Sequence, residues 1–165
     1  MPRVLAALIW ALGLMLTNCV PEESSLSDQL FQRYYETFRL TLDSATLARE
    51  PDLAPAYEAY LSADFATVER LTTQFIEEEA RFPLVMFAQT VAFTELGRYE
   101  EAAENFAILA QHPVVGADAQ WYQALVELKL ERLDLARQTI SDGLLYHRIA
   151  RPADARAIYE AIDGR

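Results

Sequence analysis

The sequence is poor in the residues from which most chemical sites are built. It holds one cysteine, two histidines and five glycines in 165 residues. A single cysteine permits no internal disulfide. The histidines, His112 and His147, stand apart, with no His/Asp/Glu cluster at metal-ligand spacing. No Gly-rich phosphate loop, Gly-x-Ser-x-Gly, Cys-x-x-Cys or His-Glu-x-x-His occurs. Positive charge is also scarce: 14 Lys and Arg against 25 Asp and Glu give a net charge of −11. Nucleic acid requires a basic footprint, and this chain has none. These absences predict a protein that is no enzyme, binds no nucleic acid and needs no metal or cofactor. The acidity itself reads as solubility.

What the sequence does have is apolar residues, 52% of the total. That share is enough for one folded domain of this length. Glycines 97, 116 and 143 fall between or at the ends of periodic runs, as in a nearly all-helical protein.

The N-terminus reads as a targeting segment. Arg3 precedes residues 4–17, which carry no charge. Fourteen residues are too few to span a bilayer as a helix, which takes about 20. They suit the apolar region of a secretory signal. Leu16-Thr17-Asn18-Cys19 follows and contains the only cysteine. This stretch resembles the lipobox of bacterial lipoproteins, in which the cysteine is lipidated and becomes the mature N-terminus. Asn18 departs from the small residue usual there. An ordinary signal peptide, or an uncleaved anchor with an incidental cysteine, is the alternative. The resemblance implies a signal peptide over 1–18 and lipid on Cys19. Residues 19–28 would form the lipidated tether. Val20 after the cysteine implies the outer membrane, facing the periplasm.

Residues 27–49 are predicted to form one long amphipathic helix, with Leu30, Tyr34, Phe38 and Leu42 at intervals of four and Phe31 and Tyr35 widening the stripe. Ser27 or Asp28 would cap it, and Pro51 would end it. Beyond it a 34-residue period appears. Phe87 aligns with Trp121, Leu96 with Leu130, Tyr99 with Leu133, Ala102 with Ala136 and Phe106 with Ile140. Such a period marks stacked helix–turn–helix units that bury their faces on one another. The best hairpins cover 84–113 and 117–145, with Gly97-Arg98 and Glu131-Arg132 as their turns. Stepping back 34 places Phe65 and Val68 in a degenerate first repeat over 52–80, closed by Pro83. A short helix from Pro152 to Ile162 would cap the stack. The run Glu77-Glu78-Glu79 points to several sides of a helix and reads as a solvated face.

The stretch Phe87-x8-Leu96-Gly97-Arg98-Tyr99-x2-Ala102-x3-Phe106, with Pro113 after it, resembles a tetratricopeptide repeat. So does Trp121-x2-Ala124-x5-Leu130-x5-Ala136-x3-Ile140. Thr90, Glu127 and Glu131 depart from the pattern. The resemblance implies an all-α helical-hairpin solenoid over 29–165, about three hairpins between a long N-terminal helix and a C-terminal cap. It also implies a concave face lined by the first helix of each repeat. Leu53, Phe87 and Trp121 would form one ladder there, and Tyr57, Val91 and Leu125 a second. These six are the candidate partner-binding residues, for a peptide or an amphipathic helix. The function expected is a membrane-anchored interaction module or scaffold of the periplasm. Two alternatives stay open: a structural or accessory subunit whose groove is covered by its own N-terminal helix, and a homodimer using the same stripe.

Overall fold

Three times, at intervals of 34 residues, the backbone enters the left-handed region: at Ala63 (φ 58°), Gly97 (φ 78°) and Glu131 (φ 58°). Each of these residues ends a helix in the same manner. Its amide donates to the carbonyl three residues back, and the next amide donates to the carbonyl five back. The pairs are Asp64 to Ala59 at 2.9 Å, Arg98 to Phe93 at 2.8 Å and Arg132 to Glu127 at 2.9 Å. This is the Schellman closure of a helix C-terminus, and it turns the chain directly into the next helix. The degenerate first repeat is therefore as regular in its backbone as the other two.

The computed structural model describes residues 24–78 and 83–164, with the side chains of 76–78 excepted. Among those residues the regular structure is helical throughout, with no strand. In chain order the helices are α1 (Leu26–Tyr34), α2 (Ser44–Arg49), α3 (Ala54–Leu61), α4 (Phe65–Glu78), α5 (Pro83–Glu95), α6 (Tyr99–Leu109), α7 (Gly116–Lys129), α8 (Leu133–Leu145) and α9 (Pro152–Asp163). A 3-10 turn, Pro51–Leu53, leads into α3. From α3 onward each helix packs on the next, making hairpins α3/α4, α5/α6 and α7/α8, with α9 closing the end.

The buried positions keep the same period. Val68, Ala102 and Ala136 are fully buried where the second helix of each hairpin meets its first. Thr72, Phe106 and Ile140 repeat this one turn later. Ala56, Thr90 and Ala124 are also in register and buried. Thr90 fits a slot for small residues because its hydroxyl donates to the Met86 carbonyl at 2.7 Å, leaving no unpaired polar group. Helix α9 takes the place of a fourth first helix, with Ala155 buried 34 residues after Trp121. It is reached by a tight crossing: Gly143 lies in α8 where an added Cβ would stand 2.7 Å from the Ile149 Cβ.

The long helix expected over 27–49 is not formed. Ser25, not Ser27 or Asp28, caps α1, its hydroxyl accepting from the Asp28 amide at 3.2 Å. The helix stops at Tyr34, residues 35–43 run without helix, and α2 follows as a separate six-residue piece. The reason lies in where the chain travels. Helix α1 packs against α7, in the third hairpin. The extended residues then lead back across the first helices of the hairpins to reach α3.

Ala63 and Glu131 occupy a left-handed position that costs a residue with a Cβ about 1 kcal/mol relative to glycine. Ala63→Gly and Glu131→Gly should each stabilise the protein by roughly 0.5–1 kcal/mol, with Gly97→Ala destabilising it comparably. Urea melts of the three variants check this. Destabilisation by Glu131→Gly would contradict the assigned backbone.

Candidate functional site

The two ladders lie side by side along α3 and the 3-10 turn before it, α5 and α7, as the repeat spacing requires. Leu53, Phe87, Val91, Trp121 and Leu125 are buried, and Tyr57 is half-buried. They do not line an open groove. Residues 24–43 lie over them, so the face carries its own ligand.

Aromatic packing holds the cover in place. The Phe38 ring sits 4.7 Å from Phe87 and 6.0 Å from Tyr122, edge to face with both. Tyr34 meets Trp121 edge to face at 6.5 Å. Leu30, Phe31 and Leu40 are buried in the same cluster. Edge-to-face pairs add about 0.5–1.5 kcal/mol each beyond the area they bury.

The main chain of the cover is held too, and by tyrosines. The Tyr122 hydroxyl donates to the Glu36 carbonyl at 2.6 Å. The Tyr60 hydroxyl donates to the Phe38 carbonyl at 2.7 Å. The Tyr57 hydroxyl accepts from the Leu42 amide at 3.4 Å. An extended segment without a neighbouring strand must find partners for its carbonyls and amides elsewhere, and these hydroxyls supply them. They come from α7 and α3, at opposite ends of the ladder.

Charge clasps the edges. Asp28 pairs with Lys129 at 2.5 Å, and Glu36 with Arg151 at 3.0 Å. The Arg151 guanidinium lies 5.9 Å from the Trp121 ring centroid. Glu95, at the end of α5, accepts from the Tyr35 hydroxyl at 2.9 Å and from the Thr37 hydroxyl. Burial pushes the hydroxyls of Tyr35, Tyr60 and Tyr122 above the ordinary tyrosine range, and the negative charge of Glu95 adds to this at all three. All three therefore stay protonated through neutral pH and keep their protons for hydrogen bonding.

Two further features border the cover. Where it reaches the first hairpin, a cavity of about 60 Å³ remains, walled almost wholly by carbon from Leu40, Leu42, Leu53, Val68, Leu84 and neighbours. Away from it, Glu127 is buried in α7 and accepts from Gln123 at 3.0 Å and Thr139 at 2.9 Å. Burial raises its carboxyl above the usual range, offset in part by these two hydrogen bonds. Its partners are local and satisfied, so it reads as a paired core carboxylate.

The residues that complete this site beyond the two ladders are Tyr60, Tyr122, Glu95, Lys129 and Arg151. Sequence reasoning missed Tyr60 and Tyr122; the signal that could have found them is that a buried tyrosine demands a partner for its hydroxyl. The extended cover also had a sequence signal: Phe38, Leu40 and Leu42 alternate with Arg39 and Thr41. His112 accepts from the Val114 amide through Nδ1 at 3.2 Å, within its own turn. His147 is exposed in another turn. No group of three or more His, Cys, Asp or Glu that could hold a metal occurs among the described residues. Cys19, the signal segment and Glu79 lie outside the described residues, as do the side chains of Glu77 and Glu78.

Comparison with protein-family models, with curated proteins and with solved structures gives no match. Among the described residues no helix is long and apolar enough to cross a membrane.

Tyr60→Phe and Tyr122→Phe should each cost about 1 kcal/mol, the net value of one hydrogen bond. The pH dependence follows from the raised hydroxyls. A group whose folded value lies above its unfolded value of 10.0 supports folding fully below that pH and loses the contribution as pH rises past it. Wild-type stability should therefore fall steeply above about pH 10, and the double variant Tyr60→Phe/Tyr122→Phe should fall less steeply. Urea melts at pH 8, 10 and 11 measure both slopes. Equal slopes would remove the tyrosines from the account.

Proposed function

We propose that this chain is a lipid-anchored helical-repeat protein of the bacterial envelope, related in design to tetratricopeptide proteins. It serves as a structural or accessory subunit. Its concave face is occupied by its own N-terminal segment, and it meets a protein partner through its outward surfaces. The observation that carries this reading is the clasped cover of residues 24–43 over the Phe87 and Trp121 ladder. A site already filled by aromatic, main-chain and ionic contacts from the same chain has little apolar area left to offer a peptide. Apolar side chains that do reach solvent lie elsewhere: Ile108 on α6, Val114 after it, and Leu145 and Tyr146 at the end of α8. Burial of such side chains is what a partner surface would gain from.

The anchor is supported by Arg3, the uncharged residues 4–17 and the lone Cys19. An anchor of this kind would place the acidic helical domain at a membrane surface, with residues 20–23 as the link to the cover.

Cys19→Ala should abolish the mass increase of lipidation and release the chain from the membrane fraction. Photo-crosslinking in intact cells, from residues 108 and 146, should trap a protein partner. Ile108→Asp and Tyr146→Asp should lose that partner with an unchanged melting temperature. If crosslinking survives both substitutions and is lost only when the cover is disturbed by Phe38→Ala, the concave face is the partner site and the accessory-subunit reading fails.

A further inference from the structure

We propose that residues 24–43 can be exchanged between two copies of this chain, each copy's arm closing the concave face of the other. This goes beyond the accessory role and does not depend on the lipid anchor.

The arm is recognised by groups remote from it in sequence. Tyr122 is 86 residues from the carbonyl it holds, and Arg151 is 115 residues from Glu36. None of these bonds depends on the arm and the body belonging to one chain. An arm from a second copy satisfies every one of them identically.

The link between arm and body is built to open. Helix α2 buries no side chain. Its hydrogen bonds are local: the Thr46 amide to Asp43 at 2.6 Å, Arg49 Nε to the Ala45 carbonyl at 3.3 Å, and the Glu50 amide to the Thr46 carbonyl at 3.0 Å. Six residues span about 9 Å as a helix and about 20 Å when extended. Uncoiling α2 thus lengthens the connector at the expense of these local bonds, while all contacts of the arm are kept.

Charge selects the occupant. The body of an acidic protein offers Lys129 and Arg151 at the rim of the face, and the arm brings Asp28 and Glu36 to meet them. Phe38 and Leu40 fill the apolar seats between. A second copy supplies all four in register. Closed monomer and exchanged dimer share these contacts, so the balance between them rests on the connector and on concentration.

The test uses two full-length chains, each also carrying Cys19→Ser, one with Glu36→Cys and the other with Arg151→Cys. They are mixed, incubated at rising concentration and treated with a short flexible bismaleimide, since the contact is between the tips of two long side chains, and the bridged peptides are identified by mass spectrometry. Exchange predicts a 36–151 bridge between chains that dominates over 36–36 and 151–151 bridges and rises with concentration. A single chain carrying both substitutions should form the same bridge internally, which verifies the seat of the arm. Deletion of 44–49 removes α2 outright, makes the connector too short to close at home and should give a folded dimer by light scattering. Bridges in the proportions of random collision overturn the proposal, as does a folded deletion variant that stays monomeric. If the deletion variant does not fold, the bridge ratio decides alone.

Discussion

The structure depends on the need to cover an apolar face. Repeats spaced by 34 residues place Leu53, Phe87 and Trp121 in a line and Val91 and Leu125 beside them. Hairpin-to-hairpin packing buries the flanks of this line but leaves its outer side with no neighbour from the hairpins themselves. A ladder of large carbon surfaces cannot stay in water without strong cost. Residues 24–43 meet that need. The break after Tyr34, the buried tyrosine hydroxyls and the ion pairs at the rim all serve to seat them.

The second half of the cover, residues 35–43, runs without helix for a physical reason. A helix is about 10 Å across with its side chains and satisfies its own backbone, so it contacts a groove only through side chains. An extended chain is thinner and reaches deeper, but its carbonyls and amides must be paired by the body. Tyrosine suits this task, with a ring that packs on carbon and a hydroxyl that reaches past it. Phe87, Phe106 and Tyr122 show the arrangement. Tyr122 stacks on Phe106 at 5.7 Å and meets Phe87 edge to face at 5.9 Å, while its hydroxyl holds the Glu36 carbonyl. Burial keeps that hydroxyl protonated. One side chain thus serves the core and the cover.

Most of the fold was legible because a period of 34 constrains many positions at once. The hairpin turns at 97 and 131 and the buried Ala102 and Ala136 follow from it, while Pro152 and the apolar Ile158 and Ile162 mark the closing helix. The first repeat was legible only faintly, since Ala63 replaces glycine at the turn and Thr72 replaces a large apolar residue. The cover was misread for a definite reason. Leu30, Tyr34, Phe38 and Leu42 are four apart, and a spacing of four satisfies both a helical stripe and every second step of a strand. Leu40 alone distinguishes them, and it is buried. The ladder residues were legible as a face. What covers them was not, because the bonds that decide it join residues 15 to 115 positions apart.

Those long separations change how the protein holds together. In a solenoid each repeat touches only its neighbours, so stability is a sum of local terms and the ends fray. Here the cover touches α7 through Trp121 and Tyr122, α5 through Phe87 and Glu95, α3 through Tyr57 and Tyr60, and the start of α9 through Arg151. It therefore ties together hairpins that are not adjacent in the stack. Its seat is complete only when all three hairpins and the approach to α9 have formed, because each contributes a partner. Opening any one hairpin removes part of that seat and weakens the hold on the rest. The arm thus converts a linear array with few repeats into one cooperative unit, and an array this short has most to gain from such a tie, since nearly every repeat is an end.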